Sequence, residues 1–127
     1  VGMMLVYPVV DEREDGASML AFSDTPLWNS VNNAKMWRWY LDGQSYVSPV
    51  VTADKYAYLR HAFVETEEYD CLHDQGKEMY EALKTNVADV TLLDNKGTFH
   101  GFDVNTNAEV VCRSFAARVQ FLQKCFI

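Results

Sequence analysis

Cysteine is scarce in this chain. There are three, Cys71, Cys112 and Cys125, an odd number with no C-x-x-C pair. That count indicates neither a disulfide framework nor a zinc site, and it fits a reducing compartment, so a cytoplasmic setting is expected. Positive charge is also short. Eleven Lys and Arg stand against eighteen Asp and Glu, for a formal net charge of -7. Nucleic acid and anionic membrane surfaces select for basic patches, so neither is an expected partner. No stretch of about 18 apolar residues occurs, and no basic segment runs into an apolar one, so neither a membrane span nor a signal peptide is expected. The first residue is Val1 rather than a methionine, and the expectation is that a preceding part is missing.

What remains is an ordinary folded composition. The chain has 127 residues, 49% hydrophobic and 13% aromatic, enough for one domain or part of one. Val1 to Val10 is apolar without alternation, the pattern of a strand covered on both faces, with Pro8 at its end or in a bulge. Asp11 to Gly16 reads as a charged turn and Met19 to Thr25 as loop. Asn29 to Leu41 reads as a helix stopped by Asp42-Gly43, and Gln44 to Asp54 as loop. Ala57 to Val64 and Val87 to Leu93 read as further strands, with Asp89 interrupting the second. Leu72 to Lys84 is a helix by its 3.6 period. Asn107 opens a last helix to about Cys125, with Val111, Phe115, Val119 and Leu122 as its apolar stripe. Strands alternating with helices predict an α/β domain with a three-stranded, mostly parallel sheet and flanking helices.

Two stretches carry chemistry. Phe63 to Gly76 is an apolar run that ends in acids and passes into a helix at Asp70. Thr98-Phe99-His100-Gly101-Phe102 puts a histidine on a glycine-bracketed loop after a strand. Adjacent strands lie about 5 Å apart, so a carboxylate and an imidazole at neighbouring strand ends can meet. Asp70 is then an orienting acid or an N-cap, and His100 a general base or a packed surface residue. His73, three residues after Asp70, competes for the pairing, while His61 inside a strand reads as structural. No nucleophile accompanies them. Gly16-Ala17-Ser18 and Gly43-Gln44-Ser45 begin like a serine elbow but lack the closing glycine, and read as loops. Cys71 beside Asp70 is a poor candidate, because a neighbouring carboxylate raises a thiol pKa.

Asp70-Cys71-Leu72-His73-Asp74-Gln75-Gly76 resembles the D-P-L-x-D-E-G motif of the hormone-sensitive-lipase-like branch of α/β-hydrolases. His100-Gly101-Phe102 matches that family's H-G-F, and Leu5-Val6-Tyr7-Pro8-Val9 is similar to its strand-plus-proline. Pro26 to Asn29 and Met36 to Leu41 look like the segment that helps cap the acyl pocket. Cys71 for proline and Gln75 for glutamate are small departures. The large one is the absence of the family's first half, with its serine elbow and oxyanion loop.

The resemblance implies the C-terminal half of an α/β-hydrolase fold, one partial domain over 1–127 with 26–54 as a cap or pocket segment. It implies Asp70 as triad acid and His100 as triad base of a carboxylic-ester hydrolase, with Leu72 and Phe102 near the pocket. Trp37 would favour an apolar acyl or alcohol group, or is plain core. No metal or cofactor is called for. The expected partners are a small ester in the intact enzyme and the missing N-terminal half. The alternative is a non-catalytic association module that pairs through an exposed sheet edge.

Overall fold

The computed structural model describes residues 1–127. Three strands, β1 (Gly2–Val6), β2 (His61–Glu67) and β3 (Asp89–Asn95), form one open sheet in the order β1-β2-β3. All pairings are parallel, with Gly2 opposite His61 and His61 opposite Asp89, so the three C-terminal ends lie along one edge. Parallel neighbours require long crossovers. Helices α1 (Ala17–Ala21) and α2 (Ser30–Leu41) lie in the first, α3 (His73–Lys84) forms the second, and α4 (Glu109–Cys125) follows the sheet.

The central strand shows why both sheet faces are covered. Side chains alternate along β2. Ala62 and Val64 face a core made with Met79 and Leu83 of α3 and with Val10, Leu59 and Val87. Each large apolar side chain buried there contributes about 1.5–3 kcal/mol. On the same face Gly76 lets α3 approach the sheet, since a Cβ there would lie 2.5 Å from Thr66 Cγ2. On the other face Phe63 packs against Phe121 of α4, ring centroids 5.5 Å apart. Beyond it Glu65, fully buried, takes a two-pronged ion pair from Arg118, Nε and Nη2 each 2.8 Å from a carboxylate oxygen. Such a fork matches the guanidinium to both oxygens at once.

Helix α2 begins and ends where its sequence says. The Asn29 side chain accepts the Asn32 N–H at 3.0 Å, and Asp42 takes the left-handed conformation that closes the last turn.

Four expectations need correction. Met19 to Thr25 is not all loop: Ala17–Ala21 is helical. No side chain caps that turn; Ser18 holds it by donating to the Cys71 carbonyl at 2.8 Å and by giving its own N–H to Asp74. The middle strand is shifted from Ala57–Val64 to His61–Glu67, because residues 57–60 form the turn and bend that lead out of the 3-10 turn Ala53–Tyr56. Its acids continue the strand because Arg118 neutralises Glu65. Asp89 opens β3 rather than interrupting it, by pairing with His61 at 2.6 Å and with Lys124. Finally, the buried face of α4 is Val111, Ser114 and Phe121, while Phe115, Val119 and Leu122 are exposed. Polar contacts turn the helix: Ser114 receives a hydrogen bond from buried Asn95, and Arg118 points inward to Glu65.

Candidate active site

The C-terminal sheet edge gathers the side chains with chemistry. Asp70 sits in the turn after β2 and is 1% exposed. Its Oδ1 accepts the Leu72 N–H at 2.9 Å, which fixes the carboxylate plane. Its Oδ2 lies 2.8 Å from His100 Nδ1. Asp70 is not the N-cap of α3, which is Leu72 with no side-chain cap; its carboxylate instead joins the Leu72 N–H just before the helix to the His100 imidazole.

His100 lies on the loop after β3. Gly97 and Gly101, at φ 71 and 76, supply the left-handed bends that return the chain toward the sheet. The loop is tied down by the Tyr69 N–H on the Thr98 carbonyl at 2.9 Å and by Thr98 Oγ1 on the Asn95 carbonyl at 3.0 Å. With Asp70 ionised, the proton of a neutral His100 belongs on Nδ1, leaving Nε2 a free acceptor. Nε2 has no protein hydrogen-bond partner. The ring packs against two aromatic side chains, Tyr7 at 4.4 Å and Trp28 at 5.7 Å between centroids.

Trp28 also borders a cavity of about 300 Å³, with Val9, Met36, Trp37, Tyr40 and Tyr46 as its other walls. Trp37 is 5% exposed and packs on Tyr46 at 4.7 Å. It is thus both a core residue and a cavity wall. Leu72 and Phe102 are buried but do not border this cavity; Leu72 packs with Met19 and Cys71 under Phe22 and Trp28.

The competing histidines are engaged elsewhere. His73 turns away from Asp70, with Nδ1 3.2 Å from Asp74 and Nε2 3.0 Å from Asp94. Burial opposes charge on Asp74, yet the Ser18 N–H and His73 hold its pKa below the usual carboxylate range. His61 pairs with Asp89 at the opposite sheet end. Ser18 is buried and committed to the Cys71 carbonyl, so it faces no base. Burial, then the Asp70 charge, pushes the Cys71 thiol up to about 12.

Sequence reading missed a part-buried polar group beside the pair and a buried acid near it. Tyr7 was legible only as a strand residue, yet its hydroxyl donates to Asp103 at 3.1 Å, and Arg118 Nη1 holds Asp103 at 2.8 Å. Burial and the Asp103 charge raise the Tyr7 phenol to about 12. Glu67 is fully buried, and neither of its oxygens has a partner. Burial, reinforced by Glu65 and Asp70, pushes its carboxyl up to about 9, so it is neutral at pH 7. An acid three residues after the loop histidine, and a tyrosine where the first strand meets proline, were the available signals. No group of three or more His, Cys, Asp or Glu side chains is arranged to hold a metal ion, and no helix is long and apolar enough to cross a membrane.

The chain is an α/β protein with an open parallel sheet that holds a carboxylate and an imidazole in contact at its C-terminal edge. Comparison agrees. A family model described as alpha/beta hydrolase fold matches residues 1–104, and the chain belongs to that family. No curated protein matches the sequence. Among solved structures, a bacterial heroin esterase is 31% identical with a TM-score of 0.86, over 97% of this chain and 42% of that one. Esterase LipW from Mycobacterium marinum is 27% identical with a TM-score of 0.85, over 99% and 41%. A fungal esterase from Rhizomucor miehei is 25% identical with a TM-score of 0.78, over 98% and 41%. The chain thus spans about two fifths of the length of these structures. The match upholds the resemblance to a C-terminal part of a hormone-sensitive-lipase-like esterase.

Proposed function

We propose that this chain supplies the acid and the base of a Ser-His-Asp carboxylic-ester hydrolase, whose serine and oxyanion donors come from a preceding segment. The observation that carries the reading is the 2.8 Å contact between Asp70 Oδ2 and His100 Nδ1, with Nε2 left free. In the assembled enzyme Nε2 accepts the serine proton as the hydroxyl attacks the ester carbonyl. Asp70 holds the Nδ1 tautomer and stabilises the imidazolium. The imidazolium then gives its proton to the leaving alcohol. Water repeats the sequence on the acyl-enzyme.

The segment 26–54 forms a cap over this edge. The aromatic cavity bordered by Trp28 and Trp37 receives an apolar acyl or alcohol group, and its volume of about 300 Å³ suits a small one. Leu72 and Phe102, buried and close to Asp70 and His100 in sequence, line the site near the ester. Three free thiols support a reducing, cytoplasmic setting.

The test is hydrolysis of a short-chain p-nitrophenyl ester. This chain alone is expected to be inactive. Supplying a serine-bearing preceding segment is expected to give activity that a serine-reactive phosphonate blocks and that His100→Ala abolishes. Retention of that activity in His100→Ala contradicts the reading. A second reading, an association module, draws on the one-sided pairing of the edge strands β1 and β3 and on the exposed Phe115, Val119 and Leu122 of α4. Light scattering separates the two: a monodisperse monomer removes the second.

A further inference from the structure

The proposed function explains Asp70 and His100 but leaves Tyr7 unexplained. Tyr7 follows β1 directly and adopts φ 35, the left-handed region that a tyrosine avoids. Such a conformation persists only where its surroundings over-determine it. Three contacts do so. Its N–H donates to the Glu65 carbonyl at 2.9 Å. Its ring lies 4.4 Å from the His100 ring, tilted by 44°. Its hydroxyl reaches both oxygens of Asp103, at 3.1 and 3.3 Å.

Asp103 belongs to the same loop as His100, in the 3-10 turn Phe102–Val104. Arg118 of α4 fixes Asp103 at 2.8 Å while its other nitrogens clamp the buried Glu65 of β2. Tyr7 therefore spans from the end of β1 to the base-bearing loop, and its far end is anchored to the buried ion pair. Its near end is a ring tilted against the imidazole. Trp28, at 5.7 Å, contacts the same imidazole.

We propose that Tyr7 is a positioning residue. Anchored by Asp103 and Arg118, it holds the His100 imidazole in the orientation that keeps Nδ1 on Asp70 and Nε2 facing outward. It touches no substrate and moves no proton. The proposal rests on Asp70 and His100 being the acid–base pair. It goes beyond that reading by giving the pair's geometry a cause outside the pair.

The experiment uses the 127-residue chain with ¹⁵N-labelled histidine. NMR reads the solvent exchange of the Nδ1–H protons of His100 and His61. His61 also faces a carboxylate through Nδ1, the more exposed Asp89 at 2.6 Å, and serves as internal reference at the opposite sheet end. Tyr7→Phe keeps the ring and loses the anchor; Tyr7→Leu loses both. Exchange at His100 is expected to quicken about twofold in Tyr7→Phe, from the lost hydroxyl hydrogen bond, and about tenfold in Tyr7→Leu, where the aromatic pair goes too, with His61 unchanged. A wild-type rate at His100 in Tyr7→Phe, or equal quickening at His61, overturns the proposal. Should Tyr7→Leu not fold, Tyr7→Phe decides alone. Asp70→Asn tests the underlying pair separately. If it leaves the wild-type His100 signal unmoved, the pair itself is wrong, whatever Tyr7 does.

Discussion

At the scale of single residues, environment sorts groups of the same type into different roles. Asp70 and Glu67 are both buried acids a few positions apart. Asp70 accepts a backbone N–H and lies against an imidazole nitrogen; neither Glu67 oxygen has a hydrogen-bond partner. Glu67 therefore has a folded pKa near 9 against an ordinary 4.5. A carboxyl raised in the folded state contributes stability that is fully present below the unfolded value and is lost as pH rises to the folded one. Wild-type stability is expected to fall between about pH 4.5 and 9 on this account. Glu67→Gln is expected to flatten that slope, making the variant more stable than wild type at pH 9 by at least about 1 kcal/mol, read from urea midpoints. The thiols sort in the same way. Cys71 is buried with a raised pKa and Cys112 is exposed. Iodoacetamide is expected to label Cys112 in the folded chain and Cys71 only after unfolding, as peptide mass spectrometry would show.

At the scale of elements, the sequence showed which segments are strands and helices more faithfully than which faces they bury. The periodicity of α3 and the Asn29 and Asp42 stops of α2 are local signals, and the structure keeps them. The α4 stripe failed because the helix is rotated by Ser114 and Arg118, whose partners Asn95 and Glu65 lie far off in the chain. Long-range polar pairing leaves no period in a hydrophobicity pattern. The shift of β2 has the same origin, since an acid looks like a strand terminator until its arginine is known. Asp70 and His100 were legible because each sits at a strand end beside a recognisable motif. Tyr7 was not, because its role is visible only once Asp103 is placed. Contact between elements also sets how much crowding they tolerate. A methyl group on Gly76 would fall 2.5 Å from Thr66 Cγ2, so Gly76→Ala is expected to push α3 off β2. The expected cost is about 1–3 kcal/mol, measured by chemical denaturation.

At the scale of the whole molecule, Arg118 ties the C-terminal helix to the sheet and to the loop that bears His100. Its bonds to Glu65 and Asp103 join three parts of the chain: the last helix, the central strand and the loop after β3. Arg118→Met strands a buried carboxylate and is expected to cost about 3–5 kcal/mol, seen as a lowered melting midpoint. The larger question is whether the acid and base at the sheet edge act together in ester hydrolysis. That edge is the part of the fold where α/β proteins place ligands, and the aromatic cavity reaches it through Trp28. The most direct measurement is kcat for a p-nitrophenyl ester in an enzyme that contains these residues and a serine-bearing segment, with and without Asp70→Asn. Loss of the carboxylate leaves the imidazole in the wrong tautomer, and kcat is expected to drop about 10⁴-fold near pH 7. A variant that keeps kcat within about tenfold of wild type would contradict the assignment of Asp70 and His100 as one catalytic pair.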